Sequence, residues 1–555
     1  MNKKVCSFPI LFALLALLIG ACAVVFPASA QAAPTSTGSI TVSGTVASSY
    51  DAYQIFSANV VDGDSDAKIA TDLAWASDAV RDAALPVLHS AGMPNSQTTA
   101  QEAAEWLNTD SHLTSALSAQ LARSLQSSGA EPVALNAGTT AELPCGYWLI
   151  VAKDDAIAQG EAGTAPIIAL VGGNAVTVKP KAATPKVQKH VLEDSTAAWR
   201  KAADATVADD LYWRLSATVP AGLTAYDTYT VQFVDTMSAG LDPSKVAASM
   251  RVYVAAGTDG GFDAVSADKD GRAGTEPAKD WTDITAQCAT KVAADGTFTV
   301  RTGDLIATLG GADAFTAGAR VVAVYNAPLN SACNHGIAKG NPNEVYLRYP
   351  RSPFADQSGD AGFTRTPSDD ACAYTWDLAL TKRGSDGDKP LSGAVLSIAD
   401  DRGRTLAADG TWDAQGKATV TTGEDGRVTV SGVDSGKLEV RELKAPKGYT
   451  AFEGTRSVTV KAEGLDVDQV AAAKPKLTIT AESPLRADSA DGSTGSLEAS
   501  LINAPTGTPP SITTGGFMPS TGDMAMYAAA AAAVAGAALI VVALLVKRGG
   551  GSHKE

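Results

Sequence analysis

Apolar positions along the 555 residues follow two rhythms. Ser39 to Val46 alternates apolar with polar, the period of a half-buried strand. From Asp66 to Ser127 the spacing lengthens, and Leu113, Leu117, Leu121 and Leu125 recur on one face of a helix. Strand-like runs return at YWLIV (Tyr147 to Val151) and IIALV (Ile167 to Val171). An α+β domain closing near Val178 is expected, followed by a proline-bearing junction, KPKAATP. From Val187 to the mid-370s, and again from Leu378 to Asn503, short alternating segments are punctuated by Gly, Asp and Pro turns. That spacing predicts two Ig-like β-sandwiches in a row. The expected fold is therefore mainly β, with the α+β domain at residues 31–180, the middle domain at 181–374 and the C-terminal domain at 375–505. Residues 506–517 read as an extended linker.

The two ends carry a different pattern. MNKK is basic, Phe8 to Val25 is apolar, and Ala28-Ser29-Ala30 offers a small-residue cleavage site, so residues 1–30 are expected to be an export signal. Ile19-Gly20-Ala21-Cys22 offers a rival lipid-anchor reading, made redundant by a second membrane signal. That signal is Met524 to Val546, an uncharged run long enough to cross a bilayer as a transmembrane helix. The basic tail, 547–555, begins with Lys547 and Arg548 and favours a cytoplasmic end. Met518-Pro519-Ser520-Thr521-Gly522 falls just outside this span.

The net charge of −16 leaves nothing basic and clustered to meet phosphates, which argues against nucleic acid. Four cysteines follow the export signal: Cys145, Cys288, Cys333 and Cys372. Their spacing matches no metal site, whereas export permits disulfides, and Cys333 with Cys372 is one available pairing across the middle domain. Asp62, Asp64 and Asp66 imitate the start of a calcium loop, but Ala67 and Leu73 occupy the positions needing Gly and Glu, so the stretch reads as a turn. Cys333 and His335 share the loop CNHG with no orienting partner evident in the sequence. No phosphate loop is evident, and no metal or cofactor is expected.

The strongest chemical pattern lies inside the sandwiches. In LALTK, Leu378, Leu380 and Lys382 share one face of a strand; in LEVRE, Leu438, Val440 and Glu442 do; in LEASLIN, Leu497, Ala499, Leu501 and Asn503 do. Each apolar face ends in a polar group: a lysine, a carboxylic acid, an amide. The middle domain repeats the set in the same order, with Val187-x-Lys189-x-Val191, Val231-x-Phe233-x-Asp235 and Asn343-x-Val345-x-Leu347. Solitary examples are ordinary strand ends whose lysines snorkel to water. Two ordered sets point to amide exchange. Burial disfavours the charged forms, so the lysine tends towards a neutral amine and the acid stays protonated. The amine can then attack the carboxamide while the acid binds its oxygen and moves protons; ammonia leaves and a Lys–Asn isopeptide bond remains.

These residues resemble those of backbone (major) pilins of Gram-positive sortase-assembled pili, over essentially the whole chain. VRELKAPKGY is similar to that family's E-box, which implies Glu442 as helper carboxylate. LTK and LINAP resemble the first and last strands of its Cna-B-like C-terminal domain. GNPNEVYLRY resembles the end of the fimbrial isopeptide domain, implying Asn343 as the amide; parity makes Asp235 the middle helper. MPSTG resembles a sortase signal cut between Thr521 and Gly522, with Met518 where the family usually has leucine. GNAVTVKPK resembles the pilin motif, implying Lys181 as the acceptor; Lys179 stands where tyrosine is usual and competes for the role.

Strand parity bears on that choice. Val176, Val178 and Pro180 fall on one face and Thr177, Lys179 and Lys181 on the other, so core-facing valines would leave Lys181 in water. The resemblance implies a secreted, wall-anchored, non-enzymatic shaft protein. Its partners would be copies of itself head to tail, sortases, peptidoglycan, other tip or base pilins and a host ligand. A monomeric wall-anchored adhesin is the alternative.

Overall fold

The computed structural model describes residues 36–63, 67–109, 111–180, 184–221, 223–257, 281–316 and 318–507. The export signal, Asp64, Asp66, Lys181, the linker beyond 507, Thr521, Gly522, the apolar run 524–546 and the basic tail lie outside these residues. Among the described residues no helix is long and apolar enough to cross a membrane.

The chain is mainly β, opening with an α+β domain. Ser49–Asp62 is the central strand of a five-stranded sheet, and Thr37–Val42 joins a smaller sheet between Thr140–Pro144 and Val176–Val178. Helices Asp78–Ser90, Ala100–Asn108 and Ser115–Ser127 contribute to a core with Tyr53, Phe56 and Leu149. The helical region is shorter than its spacing suggests. Lys68–Trp75 is a strand paired with Ser49–Asp62, because Ile69, Thr71, Leu73 and Trp75 also alternate. Leu113 precedes its helix: the Thr114 hydroxyl caps the Leu117 amide, so helical geometry starts after it.

The middle domain stacks two sheets. One runs Ala198–Arg200, Val187–Glu193, Tyr212–Thr218, Arg320–Asn326, Arg251–Ala255, Thr282–Asp283. The other runs Ala202–Asp204, Asp369–Tyr374, Asn341–Pro350, Gln232–Met237, Thr297–Arg301, Ala289–Val292, with Phe363–Arg365 beside Asn341–Pro350. Alternate residues of both sheets, including Val191, Trp213, Leu215, Phe233, Phe298, Val345 and Leu347, fill the space between.

The C-terminal domain is also two sheets. Its first strand, Trp376–Gly384, lies parallel to its last, Ser496–Asn503, between Arg427–Val433 and Leu485–Asp491. Gly436–Lys444 sits in the facing sheet with Val395–Ala399 and Thr455–Glu463.

The last two domains share a joint. Ala202, Cys372 and Tyr374 belong to the C-terminal core, and the Trp376 indole donates to Asp204 Oδ2 at 2.6 Å. Arg404 donates to both oxygens of Asp209 across the same seam. This arrangement corrects the Cys333–Cys372 pairing. Both are free thiols, because Cys333 packs into the middle core while Cys372 turns towards the C-terminal one.

Two buried amine, carboxyl and amide sites

Alternation carries Lys189 inward with Val187 and Val191, while Gln188 stays exposed. Lys189 stands opposite Leu215, and Val191 opposite Trp213, which in turn faces Tyr325 on the next strand. On the facing sheet, Asp235 pairs with Val345 and Met237 with Asn343, so Asp235 and Asn343 are diagonal neighbours. Lys189, Asp235 and Asn343 are all fully buried.

These three groups meet around one phenol. Lys189 Nζ ion-pairs with Asp235 Oδ2 and donates to the Tyr325 hydroxyl at 2.9 Å. Tyr325 donates to Asp235 Oδ2 at 3.1 Å, and Asn343 Nδ2 donates to Tyr325 at 2.8 Å. The amine lies 5.6 Å from the Trp213 ring centre and 5.4 Å from that of Tyr325, with Phe298 edge-on to Tyr325. Burial pushes the Lys189 amine down to about 8, against the pull of Asp235. Burial also raises the Asp235 carboxyl and the Tyr325 phenol. Asp235 Oδ1 and Asn343 Oδ1 are buried without a hydrogen-bond partner among the described residues. Protonation of the Asp235 carboxyl would turn one of these acceptors into a donor.

The C-terminal site reaches similar chemistry differently. Lys382 pairs with Leu501 and Gly384 with Asn503, so amine and amide stand on adjacent parallel strands of one sheet. Glu442 faces them from Gly436–Lys444, on the inward parity of Leu438 and Val440. Asn503 Nδ2 donates to both Glu442 oxygens at 2.9 Å; Lys382 Nζ lies 3.6 Å from Glu442 Oε1 and donates to the Leu501 carbonyl at 3.3 Å. The Phe452 amide donates to Glu442 Oε2 and fixes the carboxyl. Burial pushes the Lys382 amine down to about 8, and Asn503 Oδ1 has no partner among the described residues. Exchanging the amide's nitrogen and oxygen would turn that carbonyl towards Glu442.

All six residues named from parity thus gather in two threes, each joined by hydrogen bonds and an ion pair. Tyr325 went unnoticed, although Val321, Ala323 and Tyr325 are another apolar face ending in a polar group.

The remaining candidates fare differently. Val178 is buried and Thr177 and Lys179 exposed, the parity expected beside the junction; Lys181 itself lies outside the described residues. Asp62 accepts from the Asn174 amide and pairs with Lys68, while Asp64 and Asp66 lie outside the described residues. His335 Nε2 lies 3.6 Å from Cys333 Sγ, and Asp377 Oδ2 lies 2.8 Å from His335 Nδ1, supplying the orienting carboxylate that the sequence hid. Burial nevertheless pushes the Cys333 thiol up to about 11, which leaves it protonated and unreactive near neutral pH. Among the described residues no group of three His, Cys, Asp or Glu is placed to hold a metal.

An acidic cluster fills the joint between the last two domains. Asp434 shares hydrogen bonds with Asp194 and Asp204, and Glu193 accepts from the Asp204 amide. Burial, then the Asp204 charge, pushes Glu193 up to about 7 and raises Asp434 far above the usual carboxylate range. Arg402 meets Asp194 at the rim.

Residues 377–474 match the family model described as "SpaA: Prealbumin-like fold domain". The trypsin-resistant surface T6 protein of Streptococcus pyogenes serotype M6 is 30% identical over 143 residues, which span 24% of this chain and 24% of that protein. The solved T6 backbone pilin of that organism aligns over 85% of this chain and 98% of its own, at 17% identity and a TM-score of 0.46. The full-length major pilin SpaD from Corynebacterium diphtheriae aligns over 85% and 98%, at 14% identity and a TM-score of 0.41. The C-terminal sandwich is thus a prealbumin-like domain of the SpaA kind, and the likeness to backbone pilins read in the sequence is borne out.

Proposed function

We propose that this protein is the repeating structural subunit of a covalently polymerised, wall-anchored surface pilus. Its middle and C-terminal sandwiches are locked by Lys189–Asn343 and Lys382–Asn503 isopeptide bonds, with Asp235 and Glu442 as the helper acids. The observation that carries this reading is the recurrence of one chemistry in two sandwiches of different strand order. In each, an amine lowered by burial lies against a carboxyl, and the amide is hydrogen-bonded into the same network. Each site consumes itself once, so the protein is no turnover enzyme.

Polymerisation follows from the ends of the chain. A sortase cuts after Thr521 and passes the new acyl group to Lys181 of the next subunit, or to peptidoglycan at the base. A head-to-tail contact of this kind builds an open filament rather than a closed ring. The test is a wall extract from cells carrying Lys181→Ala. A high-molecular-weight ladder in wild type that collapses to anchored monomer supports the shaft. An intact ladder moves the linkage to Lys179 or elsewhere. No ladder even in wild type, in cells holding a pilus sortase, leaves the monomeric adhesin as the better reading.

A further inference from the structure

The two sites differ in how the carboxyl reaches the amide. In the C-terminal domain Glu442 binds Asn503 directly, both oxygens at 2.9 Å from Nδ2. In the middle domain the acid is one methylene shorter, and among the described residues Asp235 and Asn343 share no hydrogen bond. Asp235 holds Lys189 and Tyr325, and Asn343 holds Tyr325. The phenol spans the gap between the carboxyl and the amide nitrogen. Its ring is fully buried, stacked edge-on at 4.7 Å to Phe298, and its strand partner is Trp213, so the hydroxyl has little freedom to be elsewhere.

We infer that Tyr325 is a catalytic residue of the middle site, the relay that carries a proton from the Lys189 amine to the departing nitrogen of Asn343. The inference rests on the isopeptide reading above.

The neutral amine attacks Asn343 Cγ, forming a C–N bond while the carbonyl electrons move to Oδ1, which a protonated Asp235 stabilises. Nδ2 ceases to be a planar amide nitrogen and gains a basic lone pair. Tyr325, already 2.8 Å from Nδ2 and 2.9 Å from Nζ, gives its hydroxyl proton to the first and takes one from the second. The C–Nδ2 bond breaks, ammonia leaves, the carbonyl re-forms, and phenol and carboxyl are both restored. One proton has moved from amine to ammonia, and no outside reagent is needed. A hydroxyl suits this exchange because it can accept and donate in one step. Among the described residues the C-terminal site has no hydroxyl in the contacts of Lys382, Glu442 and Asn503, and there the longer acid performs both tasks.

The test follows each cross-link separately, by peptide mapping of the mature chain over a time course after cell-free synthesis. Tyr325→Phe keeps the ring and should slow the Lys189–Asn343 bond about a hundredfold or more, leaving Lys382–Asn503 at its wild-type rate. Adding Asp235→Glu to Tyr325→Phe supplies the missing methylene and should restore much of the middle bond. Replacing tyrosine throughout with 3-fluorotyrosine acidifies the phenol without altering the fold, and should displace the pH profile of the middle bond alone. A wild-type chain with neither cross-link defeats the isopeptide reading itself. A cross-linked wild type, with Tyr325→Phe as fast as wild type or a fluorotyrosine profile unmoved, defeats the relay and leaves that reading standing.

Discussion

In the middle domain the lysine stands on one sheet, with the acid and amide on the other; in the C-terminal domain lysine and amide are neighbours in one sheet, and only the acid faces them. One chemistry therefore tolerates two frames. What the sites share is burial, which lowers both lysine amines, and polar contacts that hold the groups together. What differs is the path that tension takes. In the C-terminal domain the proposed bond joins the first strand to Asn503 at the end of the last, so almost nothing behind it remains to be pulled out. In the middle domain Asn343 is followed by residues 344–374, including Phe363–Arg365 and Asp369–Tyr374, which no bond protects.

The largest expected contrast is mechanical. Under single-molecule pulling the C-terminal domain should show no extension beyond a few residues, while the middle domain yields the length of 344–374 and then stops. Lys382→Ala should release the full C-terminal contour length; release of that length in wild type would refute the clamp. Next comes stability. Closing loops of this size, by analogy with disulfides, contributes on the order of 5 kcal/mol. Glu442→Ala and Asp235→Ala should each lose about that much in denaturant unfolding of the affected domain, the other domain being unmoved.

The buried lysines set a smaller, pH-dependent effect. In Asn343→Ala and Asn503→Ala no bond can form, and each amine titrates near 8 in the folded chain against about 10.4 when unfolded. The unfolded state then holds more protons across that window, so stability should rise as pH climbs from about 8 to 10 and be lower below it. The joint responds in the opposite direction. Glu193 titrates at about 7 when folded against about 4.3 unfolded, so its contribution is full below about 4.3 and fades as pH rises through 7. Thermal unfolding should therefore occur at higher temperature at pH 5.5 than at pH 7.5. Asp434→Asn should flatten that difference; an unchanged slope would remove the cluster as its cause.

Strand parity made Lys189, Asp235, Asn343, Lys382, Glu442 and Asn503 legible, because alternation fixes which side chains face inward whatever sheet the strand joins. Pairing partners were not legible, since nothing local says that the first and last C-terminal strands lie side by side. Lys68–Trp75 was misread because Ile69 and Leu73, four apart, also suit a helix, and only pairing with Ser49–Asp62 decides between them. Tyr325 hid at the end of an apolar run, RVVAVYN, that reads as plain core. Asp377 reaches His335 from the neighbouring domain's first strand, a contact that exists only once the joint is formed.

The most direct measurement is the intact mass of the mature protein made without any sortase. Two self-formed bonds predict a chain lighter than its sequence by two ammonias, with Glu442→Ala and Asp235→Ala each regaining one. A wild-type mass equal to that of the unmodified sequence would contradict the proposal at its centre.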